Sequence, residues 1–157
     1  MIKQEHIQAI IEDPKGFLLQ GRNIKALIAA KRVRIEEWRK IAEDISVTLK
    51  EDGGSGPTGY KQSTVENAVC NIVDLENEII AEIENLANLE KVIAEVIRVF
   101  VADDRHKLIL EMRYVNHFKL EEIALRLNYA FRWVQRLNGQ ALASMKEAAL
   151  RRVDLVS

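Results

Sequence analysis

Arginine, glutamine and phenylalanine side chains lie close together between residues 131 and 136. Arg132, Gln135 and Arg136 are three and four residues apart, which places them on one face of a helix. In the major groove of DNA, arginine pairs bidentately with guanine and glutamine with adenine. Phe131 adds a ring that can contact a thymine methyl, although an exposed phenylalanine is more often a packing residue. The spacing predicts these four residues as base contacts.

Basic residues around this helix are candidates for contacts to phosphate groups, which supply affinity but no sequence information. The candidates are Lys119, Arg126, Lys146, Arg151 and Arg152. Lys119 is the best placed, because it lies near the start of a predicted helix. Residues 103–157 hold 10 Lys and Arg against 7 Asp and Glu, whereas residues 1–102 hold 13 against 17. The net charge of −1 therefore hides a basic C-terminal third, which leaves a nucleic-acid partner open.

The apolar residues near these side chains have the spacing of a helix-turn-helix. They are Leu120, Ile123, Ala124, Val134 and Leu137. If Leu120 is the first of twenty positions, Ala124 is the fifth, where two helices cross and a small residue is needed. Asn128 is the ninth, where the turn needs a positive φ that asparagine tolerates better than most residues. The alternative to this interpretation is a three-helix bundle with no nucleic-acid role.

Helix boundaries in this region follow from the same pattern. The first helix is predicted to run from Asp103 and Asp104, which can cap it, to about Tyr114. The second is predicted over about 119–127 and the third from about residue 130 onward. Arg113 is predicted to be structural, tying the first helix to Glu121 or Glu122.

Two long amphipathic helices precede this region. After a short helix over 2–12, Asp13 and Pro14 fit an N-cap and a first helical position. Apolar residues then recur every seven residues over about 23–50 and again over 64–101, as in helices that pack against a partner. The two apolar rows of the second helix are Val65, Ile72, Ile79, Leu86, Ile93 and Phe100, and Val69, Leu75, Ile83, Leu89 and Ile97.

The segment between the two long helices, residues 51–63, is rich in Gly, Ser and Thr and is predicted to be a hinge loop. Ser63 and Glu66 fit a capping box at the start of the second helix. That helix is net acidic, with 3 Lys and Arg against 8 Asp and Glu in residues 57–102, whereas the preceding helix is net basic. The charges favour an antiparallel helical hairpin. Solvated charged faces with no preferred partner are the alternative.

No residue pattern in the sequence favours an enzyme. Cys70 has no nearby histidine, and the three histidines lack the spacing of metal ligands. Residues 54–59 match the glycine fingerprint of dinucleotide-binding proteins, but the preceding strand and the βαβ unit are missing. No apolar run is long enough to span a membrane, and a single cysteine suits the cytosol. We therefore expect no catalytic residue, no metal, no cofactor and no membrane association.

Several segments of the C-terminal region resemble region 4 of bacterial sigma factors. These segments are residues 110–115, 120–124, 127–129, 132–134, 136–137 and 141–142. More closely, residues 61–147 resemble the ArpU/RinA-type regulators of phages and prophages in Gram-positive bacteria. The most specific element is the tripeptide Arg132-Trp133-Val134 after a Leu-x-Tyr turn. The resemblance implies an activator of late phage operons, which hold packaging and structural genes.

The sequence departs from that family at three positions. Family members usually have serine or an acidic residue at the positions of Ala130 and Phe131, and often histidine at that of Asn138. Ala130 cannot accept a hydrogen bond at the start of the third helix, at a cost of about 1 kcal/mol. Because these positions lie on the predicted DNA-facing side, they bear on the target sequence more than on the fold.

The sequence thus predicts an all-α protein, with a helical hairpin and oligomerisation region over 1–102 and a helix-turn-helix DNA-binding domain over 103–157. The expected partners are double-stranded DNA and a second copy of the chain, in a dimer, inside the cytoplasm of a bacterial host. A contact with RNA polymerase stays open. Two alternatives are a small terminase-like packaging protein and a sigma-like module that binds RNA polymerase and not DNA.

Overall fold

The computed structural model describes residues 2–51 and 58–156, with side chains for 2–48 and 63–155, and over these residues it is all-α. The helices are α1 (Gln4–Glu12), α2 (Pro14–Glu51), α3 (Thr58–Phe100), α4 (Asp104–Leu110), α5 (Leu120–Leu127) and α6 (Phe131–Val156). A π-helical turn, Glu111–Val115, continues α4. The predicted fold class is confirmed. No helix in the described ranges combines the length and apolar composition needed to cross a membrane.

The helix starts follow from local side-chain chemistry. The Asp13 carboxylate accepts a hydrogen bond from the Gly16 backbone N–H at 3.0 Å, and Pro14 is the first residue of α2, as predicted. Asp103 caps α4 by accepting from the Arg105 and His106 backbone N–H groups at 2.8 and 3.3 Å. These bonds hold the pKa of the Asp103 carboxyl below its ordinary value, because they stabilise the charged form.

The hinge predicted over 51–63 is partly corrected. Residues 52–57 lie outside the described residues, but α2 continues to Glu51 and α3 already begins at Thr58. Ser63 is therefore inside α3, and the predicted capping box with Glu66 does not start this helix. A cap signal marks where a helix can begin, but residues 58–62 also take helical geometry, so α3 starts more than one turn earlier.

The described chain forms two compact units. We call residues 2–23 and 86–156 the helix-turn-helix unit, and residues 24–51 and 58–85 the hairpin unit. This division differs from the predicted boundary at residue 102. The reason is that Ile10 and Leu18 from the N-terminal segment share one buried cluster with Ile97, Tyr114 and Met145.

Within the hairpin unit, α2 and α3 are antiparallel. Lys31 on α2 lies 3.4 Å from Glu78 and 3.6 Å from Glu82, while Arg39, two turns further along, lies 3.5 Å from Glu76. Basic α2 thus pairs with acidic α3. The buried side chains between the helices are Ile28, Ile35, Ala68, Leu75 and Ile79.

Two members of the predicted apolar rows of α3 do not face α2. Val69 and Ile83 are 50% and 45% exposed. Ala68 occupies the buried position instead, and a neighbouring helical residue is turned by about 100° around the axis. The hairpin therefore leaves a second apolar row of α3 uncovered by its own partner helix.

Candidate nucleic-acid interface

The turn between α5 and α6 has the geometry that the sequence predicts. Asn128 has φ 56° and ψ 42°, in the left-handed region. The Tyr129 N–H donates to the Ala124 carbonyl at 2.9 Å, and the Asn128 N–H to the Leu125 carbonyl at 3.4 Å. This pair of bonds is a Schellman motif, which satisfies the last carbonyls of α5 and reverses the chain. The positive φ predicted for Asn128 is confirmed.

A separate buried cluster holds α5 against α6. Its members are Ile109, Ile123, Ala124, Val134 and Leu137. Trp133 is half-buried and packs on the edge of this cluster. The predicted core positions of the helix-turn-helix are thus buried together. They fix which face of α6 points away from the protein.

The outer face of α6 carries the four predicted base-contact residues. Phe131, Arg132, Gln135 and Arg136 are all exposed, and Phe131 is 39% exposed. Gly139 continues the same face, and no atom lies within 4 Å of the Cβ that an alanine would place there. This glycine was not among the predicted site residues. It leaves the face without a side chain one turn beyond Gln135.

Three predicted phosphate-contact residues have different surroundings. Lys119 is exposed at the N-cap position of α5. Arg126 is exposed too, but its guanidinium lies over the Phe118 ring, 4.3 Å from the centroid, which is cation–π distance. Lys146 is exposed ten residues beyond Arg136, about 15 Å along the helix. Lys119 therefore precedes the first residue of α5, and Arg126 lies in its last turn.

Arg151 and Arg152 have partners elsewhere in the helix-turn-helix unit. Arg151 lies 2.9 Å from Glu147 in an exposed pair on α6. The Arg152 guanidinium lies 5.4 Å from the centre of the Phe100 ring. Residue 152 is 21 positions after Phe131, about 31 Å along α6. These two arginines lie at the opposite end of α6 from the predicted base contacts.

A cleft lies beside the N-terminus of α6, with a volume of about 560 Å³. We call it the arginine cleft; it is lined by Arg22, Arg113, Lys119, Leu120, Glu121, Phe131 and Gln135. Phe131 and Gln135 therefore border both this cleft and the outer face of α6. Arg22 was not predicted from the sequence, because it lies on α2 and only the tertiary structure brings it to α5 and α6.

Arg113 has a different partner from the one predicted. Its guanidinium donates to the Phe118 carbonyl at 3.0 Å, and not to a carboxylate of Glu121 or Glu122. The chain after the π-helical turn folds back over Arg113 and brings that carbonyl within reach. Burial lowers the pKa of Arg113, and the positive charge of Arg22 lowers it further, while Tyr114 and, to a smaller extent, Glu121 act in the opposite direction.

His117 precedes α5 in a constrained conformation. It has φ 62°, the second positive φ of a non-glycine residue in the described chain. Its Nε2 lies 2.9 Å from the Glu90 carboxylate, and its side chain is only 8% exposed. Gly21 lies against the ring: a Cβ at this position would be 3.0 Å from His117 Cε1. The start of α5 is thus held by α2 and α3 together.

The arrangement offers an exposed polar helix face and a cationic cleft beside it. Within the described ranges, no group of histidine, cysteine and acidic side chains is arranged to hold a metal ion. A scan against protein-family models, a search of curated proteins and a search of solved structures each found no match.

Proposed function

We propose that this protein is a sequence-specific DNA-binding transcriptional regulator, with α6 as the helix that reads the major groove. The observation that carries the proposal is the face of Arg132, Gln135 and Arg136, exposed on the second helix of a helix-turn-helix. Arginine and glutamine present paired donors and acceptors that match base edges. In a plain three-helix bundle the same residues would form an ordinary solvated face that selects no DNA sequence.

The binding mode follows from the packing of the two helices. In helix-turn-helix proteins the second helix enters the major groove while the first crosses the backbone. Arg132 and Arg136 would then pair with guanine and Gln135 with adenine. Lys119, at the start of α5, would meet a phosphate, so its loss should weaken binding to all sequences alike.

We further propose that the protein acts as a homodimer through the hairpin unit. Val69, Val73, Ile80 and Ile83 are 45–56% exposed and spaced as alternate positions of a heptad repeat on α3. Covering this row would bury apolar surface that α2 leaves open. A second copy offers a basic α2 to an acidic α3, the same charge match that the hairpin uses internally. Two reading helices would then bind half-sites about one DNA turn apart.

The biological setting is proposed from the resemblance of residues 61–147 to ArpU/RinA-type regulators. On that basis the protein would activate late genes of a phage or prophage in the cytoplasm of its bacterial host. A direct contact with RNA polymerase would fit such a role. A packaging protein would use the same helix-turn-helix at a different DNA site, so the location of the site separates the two functions.

The test is selection of bound fragments from random and phage genomic DNA at near-physiological salt. We expect a recovered motif that the protein binds at least 10³-fold more tightly than bulk DNA. The double variant Arg132→Ala/Arg136→Ala should lose this preference. Its matched control, Arg98→Ala/Arg105→Ala, removes two exposed arginines of α3 and α4 and should keep this preference.

Each outcome assigns a function. A motif upstream of late genes supports the regulator, and a motif at a packaging site supports a terminase-like protein. No motif, together with co-purification of RNA polymerase, would refute direct DNA reading. Unchanged specificity in Arg132→Ala/Arg136→Ala would show that α6 is not the reading helix.

A further inference from the structure

We propose that the arginine cleft is a clamp for one phosphate of the DNA backbone, formed by Arg22 and Arg113 from outside the two-helix motif. The inference rests on the proposed DNA-binding function and deepens it. It adds a contact from α2, a helix that belongs to neither arm of the helix-turn-helix. The ligand group is a phosphodiester with its negative charge facing two guanidinium groups.

The charge of the cleft is unbalanced. Arg22, Arg113 and Lys119 all line it, and no ion pair within the described chain includes any of them. Glu121 also lines the cleft and offsets part of the positive charge. One carboxylate against three cations leaves a net positive site.

Arg22 and Arg113 line the same cleft and lie close enough to interact. Arg22 and Arg113 are both half-buried, and the positive charge of Arg22 contributes to lowering the pKa of Arg113. Arginine stays charged in proteins, so the two guanidinium groups repel each other, and an anion bound between them would offset that repulsion. Arg113 uses part of its fork to hold the Phe118 carbonyl, which fixes its orientation. A planar guanidinium fork held in this way suits a phosphate oxygen.

The cleft also adjoins the helix face that would read the bases. Phe131 and Gln135 line the cleft and also belong to the outer face of α6. An anion bound there would therefore lie next to two of the residues that α6 would present to the bases. The backbone N–H groups at the start of α5 lie beside Lys119 and add a favourable dipole. This position fits the backbone of bound DNA better than a free anion.

The test measures DNA affinity of the full chain at several salt concentrations. Arg22→Gln should weaken binding to specific and nonspecific DNA alike, roughly tenfold or more at near-physiological salt. The slope of log K against log salt should fall by about 0.9, the value for one lost phosphate contact. The recovered base motif should stay the same.

Arg98→Gln is the matched control. Arg98 is an exposed arginine of the same compact unit, and Phe100, two residues on, lies against Arg152 at the far end of α6. It should leave the affinity and the salt slope within error of the wild type. Circular dichroism checks that both variants remain folded.

Two substitutions that each remove a carboxylate test the clamp by a change in DNA affinity in the opposite direction. Glu121→Gln removes the carboxylate that lines the cleft and should raise DNA affinity severalfold. Glu122→Gln removes an exposed carboxylate of the same helix that does not line the cleft, and should have a smaller effect. Equal effects of the two substitutions would overturn the inference even if Arg22→Gln failed to fold.

The outcomes separate the clamp from the proposed function and from a free-anion site. If the wild type binds no DNA, the proposed function fails. If it binds its motif but Arg22→Gln has the same affinity and salt slope, only the clamp fails. The last experiment titrates the protein with inorganic phosphate, without DNA and at matched ionic strength, and measures its stability. Suppose that phosphate stabilises the wild type but not Arg22→Gln, and that this substitution leaves DNA affinity unchanged. The cleft is then a free-anion site and the clamp is refuted.

Discussion

Replacing Gly21 with alanine tests how closely α2 packs against the segment before α5. Inside a helix, alanine is about 1 kcal/mol more stable than glycine, so this substitution would stabilise an open site. Here the new Cβ would lie 3.0 Å from His117 Cε1 and 3.6 Å from Leu86 Cδ1. The first distance is too short for an unstrained carbon–carbon contact. The sign of the effect therefore depends on whether His117 can move.

The structure indicates that His117 cannot move easily. Its ring is nearly buried, its Nε2 is 2.9 Å from Glu90, and its backbone is fixed at φ 62°. Overpacking a site of this kind costs about 1–3 kcal/mol. After subtracting the gain of about 1 kcal/mol in helix propensity, Gly21→Ala should destabilise the protein by about 1 kcal/mol. For a chain of this size, that lowers Tm by about 2–4 °C.

In a His117→Gly background, the expected effect of Gly21→Ala on stability changes sign. In His117→Gly the ring is absent and the positive φ is unstrained, so Gly21→Ala should then stabilise by about 1 kcal/mol. The interaction energy of the double-mutant cycle is therefore about 2 kcal/mol. Denaturant unfolding followed by circular dichroism measures all four proteins. Gly139→Ala is the control, because nothing lies within 4 Å of its new Cβ, and it should stabilise both backgrounds by about 1 kcal/mol. A gain from Gly21→Ala in both backgrounds would refute the close packing.

Three further predictions concern the helix-turn-helix unit. Ile123→Ala removes a fully buried side chain and should cost about 2–4 kcal/mol, whereas Leu125→Ala, at a position that is 83% exposed, should change the unfolding free energy by less than about 0.5 kcal/mol. Asn128→Val should destabilise by about 1–2 kcal/mol because a branched residue resists the left-handed region, and Asn128→Gly should be near neutral; equal losses would argue against the turn geometry. Because the folded pKa of Asp103 is lowered below 3.8, its contribution is present above that pH and is lost on acidification through the folded pKa. The stability difference between wild type and Asp103→Ala should therefore shrink below about pH 4, and a constant difference would contradict the cap.

The features predicted correctly from the sequence depend on short-range spacing. Asn128 follows α5 at the place where the chain must reverse, and Asp103 precedes α4 at the place of a cap, so local chemistry is sufficient for both. Val134 and Leu137 are buried because their three-residue spacing keeps them on one face of α6. These predictions use only residues within about one or two helical turns of each other.

The features that the sequence did not reveal depend on long-range packing. Arg22 reaches the cleft through the path of α2, and Val69 is exposed because α3 presents Ala68 to α2 instead. A heptad pattern gives the apolar residues of a helix but not which of two adjacent rows its partner covers. The compact units divide the chain elsewhere than at residue 102 for the same reason, since the end of α3 packs with α4 and α6 in one core.

Gly21 and Arg22 are consecutive, and their two roles support each other. Gly21 has no side chain to separate α2 from His117, so α2 can approach the segment that begins α5. The next residue on α2 then places its guanidinium in the cleft beside Arg113 and Phe131. A bulkier residue at position 21 would push α2 away and withdraw Arg22 from the proposed phosphate. The same close contact that fixes the start of α5 would therefore also supply a cation to the DNA backbone, which links the stability of this packing to DNA affinity.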